Sequence, residues 1–483
     1  MAGDEQSSEK LRAYLRGLTP EARAMLMAEL ERGILRGEQM PQSDLLLAHL
    51  REALWEDERV PERIGNPARL FFLPVEPFIV DDEPEHAQEG RLARAAIGPL
   101  WDWVSTDIAP AEAKIYLADV ARFLLAKESA KADQAARVLQ DVVVKRLEES
   151  LEAARKDDKA RRRIAFRIGT PRAQDDVLEF YTILKERDAL ATIAGRLPTR
   201  IRSVSADQLD QVIAVLDGAL ARDKQLLRHA LVLVMNRMPA AWHLVRVALR
   251  AVQSDKADRI AESPYGLALD MVLGDVERQV RDLVRDFRRG QMVRAIAQLK
   301  DVHEAVRGLR SEVNMVAGTP PARRLAAVRA GVADAFKSEL ESIPGRVRRV
   351  IRIVPGKQLP RGATIDPSEV AEIEGLLAFV AACKIYAGEL ALNEITLRVL
   401  SDLQSQLDNG SRSILDVLRA CDQAELAYRT AQMEAATRFC AKILGEEYAT
   451  LLSRAAEVAV GSERKAKSGQ PAKAGQAAKS AKA

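Results

Sequence analysis

The sequence predicts an all-α protein: a multi-helix bundle or irregular α-solenoid, interrupted by a proline- and aromatic-rich strap and ended by a disordered basic tail. Three observations predict it. The apolar 47% of the 483 residues is mostly Ala, Leu and Val, with aromatics at only 4%; together with abundant Arg and Glu, that mixture loses little freedom in a helical turn. Proline is absent from residues 111–170, 265–319 and 368–470, which permits long helices there. Where the pattern is clearest, apolar residues recur at spacings of 4, 3 and 4.

Residues 1–60 read as a helical hairpin whose first ten residues are frayed. Thr19-Pro20 supplies an N-cap and a proline at the first helical position, and Gly33–Gly37 an end. A second helix after Ser43 carries Leu46, Leu47, Leu50 and Leu54 on one face.

Residues 61–110 hold seven of the twenty prolines, so irregular structure with short helical turns is expected. Within them, LFFLPVEPFIV at residues 70–80 contains one charge, Glu76. Burying each large side chain there contributes ~1.5–3 kcal/mol, so the segment must dock somewhere. One reading lays it across the protein's own helices against Trp55, Trp101 and Trp103. The other makes Phe71, Phe72, Phe78, Trp101 and Trp103 anchors for a protein partner.

The region 111–343 is expected to be one long helical stretch. Val138, Val142, Leu147 and Leu151 mark a helix that runs into the charged EAARKDDKARRR and projects into solvent. Ser205 and Gln208 have the spacing of a capping box. Pro239 and Ser263-Pro264 mark joints. Val276, Val280, Leu283 and Phe287, then Val302, Val306, Leu309 and Val313, form two narrow seams flanking Gly290, suited to helix–helix packing.

Residues 344–366 read as a basic irregular linker. Asp366-Pro367-Ser-Glu369 then starts a C-terminal helical unit spanning 367–460, in which Asn409-Gly410 is expected to break a helix. Residues 461–483 are Lys/Ala-rich and too polar to pack. Breaks recur about every 30–40 residues in the middle of the chain, as in helical solenoids, but no repeat signature recurs at matching offsets.

Chemistry-bearing patterns are sparse. The three cysteines, Cys383, Cys421 and Cys440, form no CxxC pair and fit a reducing compartment. Asp81, Asp82, Glu83, Glu85 and His86 lack the glycine and spacing of a calcium loop, so no metal is assigned. GxSxG, HExxH, GxxxxGK[ST] and GxGxxG are all missing; no catalytic residue or cofactor is assigned. Neither Ala230–Leu249 nor Leu376–Leu392 is free of charge, so no transmembrane segment is expected, and a polar, acidic N-terminus without an apolar core suggests a cytoplasmic chain.

Charge is uneven beneath the net +3: residues 1–90 hold 10 basic and 19 acidic side chains, and residues 281–360 hold 17 and 8. Arg346, Arg348, Arg349, Arg352, Lys357 and Arg361 are candidate anion-binding residues, for nucleic acid or an acidic membrane surface. Taken together, the expected function is a non-enzymatic cytoplasmic scaffold or adaptor acting through protein contacts or self-association. The alternative is a peripheral binder of an anionic surface through Arg346–Arg361 and the tail. A third is an enzyme whose site follows none of these motifs.

Overall fold

The computed structural model describes residues 14–15, 17–36, 46–47, 50, 66–81, 89–201, 205–353 and 363–468. Among them are nineteen α-helices and one two-residue strand pair, so the all-α class holds. The chain divides into two compact units between Pro239 and Ala240. The expected single central region of 111–343 is therefore split at Pro239, a residue whose ring stops helix propagation.

The first unit begins with α1 (Pro20–Leu35), capped as expected by Thr19 Oγ1, which accepts from Ala22 N at 3.2 Å. Leu15, Met27, Leu47 and Leu50 form a small buried cluster. Most of the second expected helix, with Leu54 and Trp55, lies outside the described residues.

The strap is more regular than its prolines suggest. Asn66 caps α2 (Pro67–Phe72), accepting from Arg69 N at 2.6 Å. A 3₁₀ turn spans Glu76–Phe78, and β1 (Ile79–Val80) pairs in parallel with β2 (Leu92–Ala93). Helix α3 (Arg94–Trp103) contains Pro99, and a π turn at Val104–Ile108 leads into α4 (Pro110–Leu125). There Arg146 donates to the Ile108 carbonyl at 2.7 Å and to Glu112 Oε2 at 3.0 Å, closing the widened turn.

Helix α5 (Ser129–Lys156) buries Ala132, Ala136, Leu139, Gln140, Val143 and Leu147. Val138, expected inside, is 56% exposed: two alanines carry the buried stripe and shift its phase. The helix does not project through the charged run. Asp157 stops it and caps α6 (Asp158–Ile168), accepting from Lys159 N at 2.9 Å; Gly169, at φ +70°, ends α6.

Helices α7 (Ala173–Lys185), α8 (Arg187–Arg196), α9 (Ala206–Arg222) and α10 (Lys224–Met235) complete the unit. Ser205 occupies the N-cap of α9, but its side chain makes no cap bond, so the capping box does not form there. Nine of the twelve residues of α10 are buried, which makes it the central helix of this unit.

The second unit contains α11 (Leu244–Val252), α12 (Ala257–Glu262), α13 (Gly266–Arg288), α14 (Met292–Glu312), α15 (Pro320–Ile351), α16 (Pro367–Tyr386), α17 (Asn393–Ala420), α18 (Gln423–Ile443) and α19 (Glu446–Ser468). Gly290, at φ +73°, makes the tight turn between α13 and α14. Val276, Leu283 and Phe287 on one helix and Val302, Val306, Leu309 and Val313 by the other are buried as the seams predict, while Val280 is only half-buried. Phe287, Phe336 and Phe379 meet at ring-centre distances of 4.7–5.2 Å and join α13, α15 and α16. Asp366 starts α16 as expected, accepting from Ser368 N at 2.8 Å.

Two expected breaks are continuous helix. Residues 344–351 are the last two turns of α15, not linker; Pro344 sits inside the helix and is buried. An interior proline costs roughly 3 kcal/mol, offset by packing beside Ile343 and Val347, both fully buried. Asn409-Gly410 lies within α17. Gly410 packs closely against α15: a Cβ on it would sit 2.7 Å from the terminal Ile351 Cδ1. Helix α19 continues to Ser468, into the stretch expected to be disordered; residues 469–483 lie outside the described residues.

Candidate functional site

The strap's rings face inward. Phe71, Phe72 and Phe78 are 0–3% exposed. Phe71 packs on Phe72 at 5.1 Å, on Trp101 at 5.4 Å, and on Tyr116 and Phe180 at 6.3–6.4 Å. The Tyr116 hydroxyl donates to the Pro67 carbonyl at 2.6 Å, and burial raises its pKa. Gln140 Nε2 donates to the Phe71 carbonyl at 2.8 Å, and Asn236 Nδ2 to that of Pro77 at 2.6 Å. Trp103 is buried as well, and Trp101 is half-buried against the phenylalanines. Phe71, Phe72, Phe78 and Trp103 are therefore core of the first unit, with Trp101 half-covered at its edge, and none of the five stands as a fully exposed anchor, because rings of this size gain most when enclosed.

The strap's other edge is exposed, and it lines a pocket. Leu70, Leu73, Pro74 and Pro77 form one wall, with Phe78 at its base. Ala136, Arg137 and Gln140 of α5, Arg187 to Ala194 of α8, and Leu233 of α10 supply the rest. The cavity volume is about 380 Å³, within the range of small-ligand pockets. Its mouth is charged: Arg137 bonds Asp188 at 3.0 Å, and Arg187 is held by Asp141 and by the Leu184 carbonyl at 2.9 Å.

Two polar atoms of lining residues are buried without a hydrogen-bond partner, Gln140 Oε1 and Arg187 Nε. The first follows from geometry: the amide nitrogen is committed to the Phe71 carbonyl, which turns the oxygen the other way. One atom accepts and the other donates. Both atoms are buried.

Beside this pocket, fully buried His229 packs edge-on to Phe78 at 5.4 Å. Its Nε2 lies 3.0 Å from Glu179 Oε2 and its Nδ1 lies 3.1 Å from the Gln225 carbonyl. Arg228 also holds Glu179, at 2.9 Å. The group is enclosed and fully coordinated, which makes it a strut under the strap.

The basic candidates separate. Arg346 bonds Glu372 across to α16. Arg348 and Arg349 lie exposed on α15 and Arg352 just beyond it, while Val347, Val350 and Ile351 between them are buried. Lys357 and Arg361 lie outside the described residues. Asp81 pairs with Arg94, residues 82–86 also lie outside, and among the described residues no three His, Cys, Asp or Glu side chains gather to hold a metal ion. No helix there is long and apolar enough to cross a membrane. All three cysteines are buried thiols.

Of the pocket, the sequence signalled only the strap. Gln140 carries a readable sign in retrospect: it stands on the apolar spacing Ala136, Gln140, Val143, Leu147, and a polar side chain in such a stripe is the informative exception. Comparison with family models, curated proteins and solved structures gives no match to this chain.

Proposed function

We propose that the chain is a non-enzymatic helical scaffold that holds a peptide segment of a protein partner in the strap pocket of its first unit. The pocket itself carries this reading: an apolar cavity walled by Leu70, Leu73, Pro74 and Pro77, ringed by charge. An apolar anchor residue would fill it, as interface hot spots do. Arg137, Asp188 and Arg187 at the mouth give the polar backbone of a peptide partners that a purely hydrocarbon ligand could not use. Three buried cysteine thiols accord with a reducing compartment and so with a cytoplasmic location.

The test uses peptides selected from a random displayed library and measured by fluorescence polarisation. Ala191, exposed on the pocket lining, is changed to Trp to fill the cavity, and Leu73 to Asp to charge its wall. Selected peptides should carry an apolar anchor and bind in moderate salt, and each variant should weaken them at least about tenfold, the loss of one good anchor. Peptides that bind the Ala191→Trp protein as well as the parent would refute the proposal.

A further inference from the structure

A second concavity lies within the second unit, where the end of α15 crosses the middle of α17. Its volume is about 490 Å³. Arg348 and Arg352 stand one turn apart on one side; Ser405, Asn409 and Ser413 stand one turn apart on the other. Ile351 and Ile353 form an apolar end, and Gly410 faces Ile351 at the crossing.

No carboxylate lines this cleft. The carboxylate nearest in sequence on α17, Asp408, is held by the Tyr448 hydroxyl at 2.8 Å and by Arg412 at 2.9 Å. Among the described residues no carboxylate pairs with Arg348 or Arg352, in contrast to Arg346 just before them, which bonds Glu372. Arg348 is nonetheless positioned. With the Gln406 amide turned so that its nitrogen donates to the Pro344 carbonyl at 2.9 Å, its oxygen accepts from Arg348 Nη2 at 3.1 Å. The Ser413 hydroxyl is engaged by the Asn409 carbonyl at 2.9 Å. Asn409 Nδ2 approaches Ser405 Oγ at 3.4 Å, which leaves its second amide hydrogen and the Ser405 hydroxyl hydrogen as donors.

The cleft therefore offers N–H and O–H donors from two guanidiniums, a hydroxyl and an amide, the last two also carrying acceptor oxygens, beside a small apolar surface. The C-terminus of α15 contributes about half a negative charge, which two full positive charges outweigh. Guanidinium forks match the oxygens of phosphate and carboxylate alike. Four donor groups lining one cleft suit the three terminal oxygens of a phosphomonoester better than the two of a carboxylate. We propose that this cleft binds a phosphate group carried on a small organic molecule whose apolar part rests on Ile351 and Ile353.

The experiment is titration calorimetry of the full chain with phenyl phosphate, inorganic phosphate and benzoate at fixed salt. Phenyl phosphate should bind saturably and most tightly, inorganic phosphate more weakly and benzoate least. Arg348→Ala and Arg352→Ala should each weaken phenyl phosphate about tenfold or more, the loss of one charge-assisted contact. Arg348→Lys, which keeps charge but loses the fork, should fall between. Arg349→Ala, exposed on the same helix but outside the cleft, should leave binding unchanged. All three positions are exposed, and far-UV circular dichroism should confirm intact helix. The proposal is overturned by the absence of saturable phenyl phosphate binding. It is equally overturned if Arg349→Ala weakens binding as much as Arg348→Ala, because then diffuse surface charge is responsible.

Discussion

Two glycine-to-alanine substitutions in the second unit should change stability in opposite directions, although both remove a glycine from the interior of a helix. Replacing glycine by alanine there stabilises by roughly 0.5–1 kcal/mol when nothing opposes the methyl group. Gly331 of α15 has no atom within 4 Å of the new Cβ, so Gly331→Ala should show the whole gain. Gly308 of α14 faces the indole of Trp242, whose Cε3, Cζ3 and Cη2 would lie 2.6–2.7 Å from the Cβ. Normal carbon contacts are about 3.5–4.0 Å, so the ring must retreat by roughly an ångström. That retreat disturbs its contact with His243 at 4.1 Å and with the Arg246 guanidinium 5.3 Å from its centre. Overpacking of this kind costs about 1–3 kcal/mol, which exceeds the propensity gain. Gly308→Ala should therefore be destabilised by about 0.5–2 kcal/mol. At roughly 2–4 °C per kcal/mol for a unit of this size, its melting transition should fall by several degrees while that of Gly331→Ala rises. Scanning calorimetry reads both. A Gly308→Ala protein as stable as the parent would refute the steric reasoning; equal shifts in one direction would refute the propensity argument too.

Two more outcomes follow from ionisable groups. Burial pushes the Cys383 and Cys440 thiols up to about 12, so an aromatic disulfide reagent should leave them unmodified in the native protein and titrate all three thiols after denaturation; prompt native reaction would show the core is open. The Arg146 guanidinium holds the Glu112 carboxyl below its usual range. The stability this pair contributes is thus present at neutral pH and lost as pH falls through that lowered value. In urea titrations, the gap between the parent and Arg146→Met should be widest near neutrality and shrink on acidification; a pH-independent gap would show that packing alone is at stake.

What the sequence revealed depended on whether local chemistry or tertiary packing decided the outcome. The seams from Val276 to Val313 were legible because large apolar residues repeat at helical spacing, and Thr19 and Asp366 because caps are local. The helix through Pro344 and Gly410 was not. Both residues read as breakers, and only the crossing of α15 and α17 explains why helix continues through them. In α5 the true stripe rests on Ala132 and Ala136, whose small side chains give a weaker signal than Val138, which is exposed. Neither cleft could be read, since each joins residues far apart in sequence. The strap pocket draws on Leu70 and Leu233 alike.

The inward rings of the strap also set a clock on the making of this protein. Phe71 is complete only when Phe180 and Tyr116 lie against it, and Phe180 leaves the ribosome about a hundred residues later. At synthesis rates of about 5–20 residues per second, the apolar segment waits on the order of ten seconds for its covering. The slower the synthesis, the longer residues 70–80 stay uncovered before α7 arrives.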